Sequence, residues 1–261
     1  MRKTFLKAII ISAIGFQTFA DAQLFRTKDR MDKLESFDNQ KFSWGFYLGV
    51  NNFDYKLVLD PMYGMSGQKS LVTSKSSYSF GAGLIGKMRI NNNFDLRIEP
   101  GLQFVERELL FNTQINDIYS GGTTSNLPFD PIFLGEKDML RTVKATYLDV
   151  PLMLEFHGDR WYNSRPYVAA GVNWMMNLQS NADSSDDNLQ GLFRSTSSNF
   201  AWSAEVGIQL YFNRFKLTPA IRGTFMINDE VVSDNFTTPP YWTPAISSMK
   251  TRAIMFVLKF E

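Results

Sequence analysis

The stretch Phe42–Val50, which reads Phe-Ser-Trp-Gly-Phe-Tyr-Leu-Gly-Val, constrains the fold more than any other part of this chain. Every second residue in it is large and apolar, and the residues between are small or polar apart from Tyr47. A period of two places the apolar side chains on one face of a β-strand. Because the same alternation recurs along the chain, the sequence predicts an all-β protein.

Eight segments carry this alternation. They are residues 42–50, 78–90, 94–104, 145–156, 166–178, 200–212, 215–227 and 251–260. The connections after the first, third, fifth and seventh segments are long and polar, whereas those after the second, fourth and sixth are short. This layout is typical of an outer-membrane barrel, whose long loops face outside and whose short turns face the periplasm. The sequence therefore predicts an eight-stranded antiparallel transmembrane β-barrel with short periplasmic turns and long extracellular loops.

A soluble β-sandwich or a lipocalin-like barrel is the alternative, because the period alone does not tell an inward apolar face from an outward one. Two features favour the membrane barrel. Charged residues lie mid-strand beside glycines, as Glu99 does near Gly101, which suits a narrow polar interior. Aromatic residues also lie near strand ends, where an outer-membrane barrel carries its interfacial girdles. The predicted interface aromatics are Trp44, Tyr78, Trp174, Trp202 and Phe212.

The first 22 residues have the three parts of a secretory signal peptide. Arg2, Lys3 and Lys7 form a basic start, residues 8–16 are apolar, and Ala20-Asp21-Ala22 is a cleavage site. We therefore predict cleavage after Ala22, a mobile periplasmic lead-in over residues 23–40, and a barrel over residues 41–261 in the outer membrane of a Gram-negative bacterium. A lipoprotein anchor is excluded, because the chain has no cysteine.

An eight-stranded barrel is filled by its own side chains and is too narrow to be a pore. Charged residues on the faces opposite the apolar ones are the candidate filling, and their mixed signs predict ion pairs that satisfy one another away from water. These interior candidates are Asp95, Arg97, Glu99, Arg107, Asp149, Glu155, Glu205, Lys216 and Arg222. We interpret them as a structural polar network and not as a catalytic constellation.

The residues give little support to catalysis or to cofactor and metal binding. The sole histidine, His157, is predicted in a periplasmic turn, and one histidine cannot form a cluster that holds zinc. Asp183, Asp186 and Asp187 lack the spacing of an EF-hand. A net charge of +1 gives no basic patch for a nucleic acid. We therefore predict no enzyme activity, no cofactor, no metal and no nucleic-acid partner.

The last long loop contains Pro239-Pro240-Tyr241-Trp242. This aromatic, proline-rich segment is interpreted either as a contact surface outside the cell or as packing over the mouth of the barrel. Sequence leaves both open.

Three segments resemble the PorT/SprT proteins of Bacteroidota. The first is Phe37–Asn51, with its Trp44-Gly45-Phe46-Tyr47-Leu48-Gly49 block, and the others are Tyr147-Leu148-Asp149-Val150-Pro151-Leu152 and Arg165–Gly171. The resemblance runs from about residue 37 to the end of the chain. The chain departs from the family at residues 40–43, where the family has Lys-Pro-Tyr or similar.

The resemblance implies an outer-membrane barrel that is required for the type IX secretion system and, in gliding species, for motility. It implies no catalytic residues and no cofactor. The partners would be outer-membrane lipid and other type IX components, met by contact. The alternative function is that of a generic small barrel that stabilises the envelope or binds a surface ligand, and a lipid-modifying barrel enzyme is a third hypothesis that rests on size alone.

Overall fold

The computed structural model describes residues 33–34, 36–61, 64–111, 139–182, 193–233 and 242–261. Eight long strands make up most of them. They are β1 (Phe42–Leu59), β2 in two pieces (Val72–Ser76 and Tyr78–Arg89), β3 in two pieces (Phe94–Ile98 and Gly101–Phe111), β4 (Leu140–His157), β5 (Ser164–Asn177), β6 (Ser198–Tyr211), β7 (Lys216–Met226) and β8 (Ile246–Phe260). A two-residue ribbon, Met65–Ser66 with Lys69–Ser70, lies in the first loop. Two 3-10 turns, Phe37–Asn39 and Thr243–Ala245, complete the described structure.

The strands form one closed antiparallel ring in chain order. The ring closes because β1 pairs with β2 on one side and with β8 on the other. At this seam Phe46 lies opposite Phe260, and their rings stack with centroids 5.1 Å apart. The prediction of an eight-stranded antiparallel barrel is confirmed.

β3 is interrupted at Glu99-Pro100, where a proline cannot donate to the ladder. The free carbonyl of Pro100 instead accepts a hydrogen bond from the Leu84 amide at 2.9 Å. The Glu99 amide donates to the Pro151 carbonyl at 3.2 Å. The irregularity expected at this proline is therefore present, and the barrel wall stays hydrogen-bonded through it.

The apolar faces of the strands point outward. Trp44 is 84% exposed and Tyr78 is 82% exposed, which would be costly against water but suits lipid. Trp174 and Trp202 are also exposed, and Trp202 stacks on Phe225 at 4.6 Å. Phe212 lies at the short turn after β6 and stacks on Phe215 at 4.9 Å. Within the described ranges, no helix has the length and apolar content needed to cross a membrane.

Several strands are longer than the alternation predicts. β1 continues to Leu59, β4 begins at Leu140 and β8 begins at Ile246. The added segments carry charged residues on the outward face, such as Asp54 and Lys250, so they lack the outward apolar period that marks the lipid belt. The barrel wall therefore extends past the membrane on the long-loop side. The predicted signal peptide, residues 1–22, lies outside the described residues.

The long-loop mouth is closed from within by apolar side chains. Trp242 is 1% exposed and packs in a buried cluster with residues such as Phe111 and Met249. The guanidinium of Arg141 lies 4.0 Å above the Trp242 ring. Of the two interpretations of this loop, packing over the mouth is the one that fits Trp242; residues 239–241 lie outside the described ranges.

Candidate functional site

A cluster of buried charges fills the barrel near its short-turn end. At its centre, Glu99 and Glu205 are surrounded by Arg97, Arg222 and Lys259. Lys259 Nζ lies 2.9 Å from Glu99 and 2.5 Å from Glu205. Arg97 lies 2.7 Å from Glu99 and 2.6 Å from Glu205. Each carboxylate is thus shared by several cations, which is the condition for keeping charges buried.

The strand register explains why these residues meet. Glu205 on β6 is directly opposite Arg222 on β7, and the two side chains share the inward face. Arg97 lies in the first piece of β3 and Glu99 directly follows that piece; both side chains are buried in the lumen and lie 2.7 Å apart. Eight strands give a lumen narrow enough for these side chains to bridge it.

A second group of charges lies closer to the short-turn mouth. Lys87 bridges Asp95 at 3.0 Å and Glu155 at 3.5 Å. His157 Nε2 lies 3.3 Å from Asp95. His157 is the last residue of β4 and is buried, so the prediction that it lies in the turn is wrong by one position: the turn begins at Gly158. Register with β5, where His157 faces Tyr167, holds it in the ladder.

The C-terminal residue joins this group. Glu261 lies 2.7 Å from Lys216 Nζ, and both side chains are almost fully buried. Burial acts to raise the pKa of the Glu261 carboxyl, but the positive charges of Lys216 and Lys87 outweigh it and lower the pKa to about 2. Glu261 is therefore ionised at neutral pH.

All of the predicted interior residues are buried in the lumen. Most of them join the ion network, but Asp149 does not: its carboxylate accepts a hydrogen bond from Asn173 at 2.8 Å. The sequence reasoning missed Lys87, Lys259 and Glu261 as network members. A signal for Lys259 was present, because it lies between the outward Leu258 and Phe260.

Arg107 belongs to a separate buried group nearer the long loops. It donates hydrogen bonds to Tyr147 at 2.7 Å and to Thr251 at 2.6 Å. Its guanidinium lies 3.7 Å above the Tyr55 ring. Glu230, from the loop after β7, accepts a hydrogen bond from the Thr251 amide at 2.6 Å, and burial raises the pKa of its carboxyl. This group fastens the loop inside the barrel.

The short-turn mouth is covered by residues 36–40, which we call the strap. Asp38 fastens it: its carboxylate accepts a hydrogen bond from Tyr211 at 2.8 Å and lies 3.2 Å from Arg165 and 3.4 Å from Arg160. Phe37 places its ring 4.9 Å from Lys216 Nζ. The strap is the described end of the predicted lead-in, and Asp38 holds it to cations at the mouth; residues 23–32 and 35 of that lead-in lie outside the described residues.

Beneath the strap lies a polar cavity of about 370 Å³. Its lining combines basic groups (Lys87, Arg89, Arg165 and Lys216) with Asp38, Asp95, Asp159 and His157. Within the described ranges, no cluster of histidine, cysteine, aspartate and glutamate is placed to hold a metal ion. The acidic loop of Asp183, Asp186 and Asp187 lies outside those ranges. The arrangement suits binding of a charged segment at the mouth.

A family model described as "Outer membrane protein beta-barrel domain" matches residues 22–232. Among solved structures, the chain is similar to the outer membrane protein OprG from Pseudomonas aeruginosa, at 14% identity and a TM-score of 0.41, over 83% of this chain and 93% of that one. It is also similar to Neisserial surface protein A, at 11% identity and a TM-score of 0.36, over 84% and 98%. The Ail protein of Yersinia pestis matches at 10% identity and a TM-score of 0.36, over 85% and 99%. No curated protein sequence matches the chain.

Proposed function

The chain belongs to the outer-membrane β-barrel domain family, and from this premise we propose that it is a closed barrel that serves the type IX secretion system by protein contact at its periplasmic mouth. It is a small β-barrel protein of the outer membrane of a Gram-negative bacterium. The proposed role is that of a component or assembly factor, with gliding motility as a further output in gliding species.

The filled interior supports contact over transport. The Glu99–Glu205 cluster bridges the lumen near one end, and the Trp242 cluster occupies the other. An unfolded polypeptide has no room to pass between them. What remains accessible is the surface at each mouth.

The observation that carries the proposal is where the most specific resemblance lies. Residues 37–51, which resemble PorT/SprT proteins, make up most of the strap and the first half of β1. In the structure these residues cover the short-turn mouth and form one side of the closing seam. The resemblance thus falls on the part of the barrel that the proposed periplasmic partner would meet.

The test is the secretome of a deletion strain complemented with the wild-type chain or with the Asp38→Ala variant. Loss of the protein should leave cargo with type IX C-terminal signals in the periplasm, and the wild-type chain should restore its release. Asp38→Ala should restore it only in part if the mouth is the contact site. A normal secretome in the deletion strain would contradict the type IX role.

A second candidate is a generic small barrel that stabilises the envelope or binds a surface ligand. The family match favours it, because that match concerns the barrel domain and carries no feature specific to secretion. Deletions in the long loops that abolish a binding or envelope phenotype but leave secretion intact would support this candidate over the first.

The proposal includes no catalytic step. The sole histidine of the chain, His157, is buried at the periplasmic mouth, where Asp95 and Lys87 form a chain of ion pairs beside it. This supports a structural role for His157. An altered lipid composition in the deletion strain, reversed by the wild-type chain and not by His157→Gln, would contradict it.

A further inference from the structure

Two lysines face each other on the outer wall of the barrel. Lys56 on β1 lies directly opposite Lys250 on β8. Both share the outward face with Val50 and Phe256, which point to lipid lower on the same strands. Like charges directly opposite each other on neighbouring strands destabilise a sheet. The Lys250 ammonium donates one hydrogen bond to the Ile227 carbonyl at 2.8 Å, which leaves two of its three N–H groups for an anion.

The pair lies at the upper edge of the apolar belt. Below it on the same face are Ile254, 66% exposed, and Tyr78, 82% exposed. The residues from Phe42 to Asn52 span about 25 Å of a tilted strand, which is the height of the apolar band of such barrels. Lys56 and Lys250 follow within two strand steps, on the side of the long loops. Their ammonium groups are therefore at the level of the outer-leaflet headgroups.

The acids nearby are engaged elsewhere. Asp54 lies 2.7 Å from Arg252 and accepts a hydrogen bond from Ser74 at 2.8 Å. Asp229 feels the charge of Lys250, but its carboxylate accepts hydrogen bonds from the Val231 amide at 3.1 Å and the Met249 amide at 3.0 Å. In the part of the chain that the structure describes, no carboxylate forms an ion pair with Lys56 or Lys250.

Two other outward lysines above the belt have a carboxylate partner on the neighbouring strand. Lys75 on β2 lies opposite Glu108 on β3, 3.1 Å away. Lys144 on β4 lies opposite Glu106, 3.7 Å away. The β1–β8 seam is thus the sector where the outward cations face one another, with Arg252 one step below.

We propose that Lys56 and Lys250 form a binding site for the phosphate of an outer-leaflet glycolipid. A phosphate placed between the two ammonium groups accepts charge-assisted hydrogen bonds from both. The acyl chains then run down the belt over Ile254 and Phe225, beside the closing seam. This inference is independent of the role in secretion.

The test uses the purified full-length barrel in neutral detergent, titrated with diphosphorylated lipid A and read by native mass spectrometry. The Lys56→Gln/Lys250→Gln variant should bind lipid A at least about tenfold more weakly, since two charge-assisted contacts are lost. Lys75→Gln, a matched outward lysine with an acid partner, should bind as the wild type does. Equal binding by the double variant and the wild type would overturn the proposal.

Two further arms identify the ligand and guard against misfolding. Dephosphorylated lipid A should bind the wild type and the double variant equally. Inorganic phosphate, at the same concentration as lipid A, should not displace lipid A from the wild type. Competition by phosphate alone would overturn the glycolipid assignment. Lys56→Glu places a carboxylate opposite Lys250, so it should raise the unfolding temperature of the lipid-free barrel while weakening lipid A binding. A lower unfolding temperature together with weaker lipid A binding would instead indicate that Lys56 is needed only for folding.

Discussion

The carboxylate of Asp38 accepts a hydrogen bond from the Tyr211 hydroxyl at 2.8 Å, although 173 residues separate the two in the chain. This contact connects the segment before the first strand to the end of the sixth. It explains how a short polar strap is held over the mouth of the barrel.

Asp38→Ala should release the strap. The variant loses hydrogen-bonding and charge contacts to Tyr211, Arg165 and Arg160, worth about 1–2 kcal/mol for a largely buried group. Because the chain has no cysteine, a single spin label at Ser36→Cys reports on the strap alone. The label should become mobile in Asp38→Ala and stay immobile in Asp159→Ala, which removes another acid of the same cavity. An immobile label in both would show that Asp38 does not hold the strap.

Breaking the central charge cluster should be costly. Glu205→Gln leaves Lys259 and Arg222 short of a buried partner, and such losses cost about 3–5 kcal/mol. The matched change at a partly exposed pair, Glu108→Gln opposite Lys75, should cost at most about 1 kcal/mol. Urea unfolding in lipid vesicles measures both. Equal losses would mean that the buried network does not contribute to stability.

A positive charge on the lipid face should oppose insertion. Val206 is 56% exposed and points outward from the middle of β6, so Val206→Arg should cost about 2–4 kcal/mol. The control substitution Asn52→Arg, at the edge of the apolar belt, should cost about 0–1 kcal/mol of folding free energy. The fraction of folded protein in vesicles is the readout. An unchanged folded fraction for Val206→Arg would contradict the outward assignment of this face.

Gly45 should be irreplaceable at the seam. A Cβ at this position would meet the backbone carbonyl oxygen of Phe260 well inside van der Waals contact. Gly45→Ala should therefore destabilise the closed barrel by about 1–3 kcal/mol, as overpacking does. Gly158→Ala, in a turn with open space around the added carbon, is the control. Loss of the heat-modifiable gel shift in Gly45→Ala alone is the expected result.

Acid should weaken the Glu261 contact with Lys216. The pKa of Glu261 is lowered to about 2 in the folded protein, below its ordinary value near 4.5. The folded state therefore binds fewer protons, and its extra stability is present above pH 4.5 and is lost as the pH falls towards 2. Glu261→Gln should flatten the unfolding free energy over this range. An unchanged slope would show that the pair does not set the acid response.

Alternation in the sequence predicted the barrel because a lipid belt imposes a strict period of two. Leu48, Phe80 and Phe256 all face outward as that period requires. The outward apolar period ends where water bounds the wall, so the extension of β1 past Val50 and the start of β8 at Ile246 were not predicted. There the polar side chains, such as Asp54 and Lys56, point outward, and the apolar ones, such as Phe53 and Tyr55, point inward, so the outward apolar stripe does not continue.

The interior was predictable as a set of residues but not as a set of partners. Inward positions follow from alternation, so Glu205 and Arg222 could be identified as lumen residues. Which cation meets which acid depends on register and on reach across the ring, as with Lys259 and Glu99, 160 residues apart. The strap escaped prediction for the same reason, because Asp38 has no local pattern that points to Tyr211.

The closing seam joins Phe46 to Phe260, the first strand to the last. Until residue 260 is in place, the nascent sheet therefore carries two unpaired edges, and each exposes backbone groups able to recruit another chain. Assembly then has a single committing event, in which β1 and β8 must both be present. A barrel that lacks β8 would retain its open edges and be a substrate for aggregation or periplasmic proteolysis, so quality control of this protein rests on the fifteen residues of β8, Ile246–Phe260.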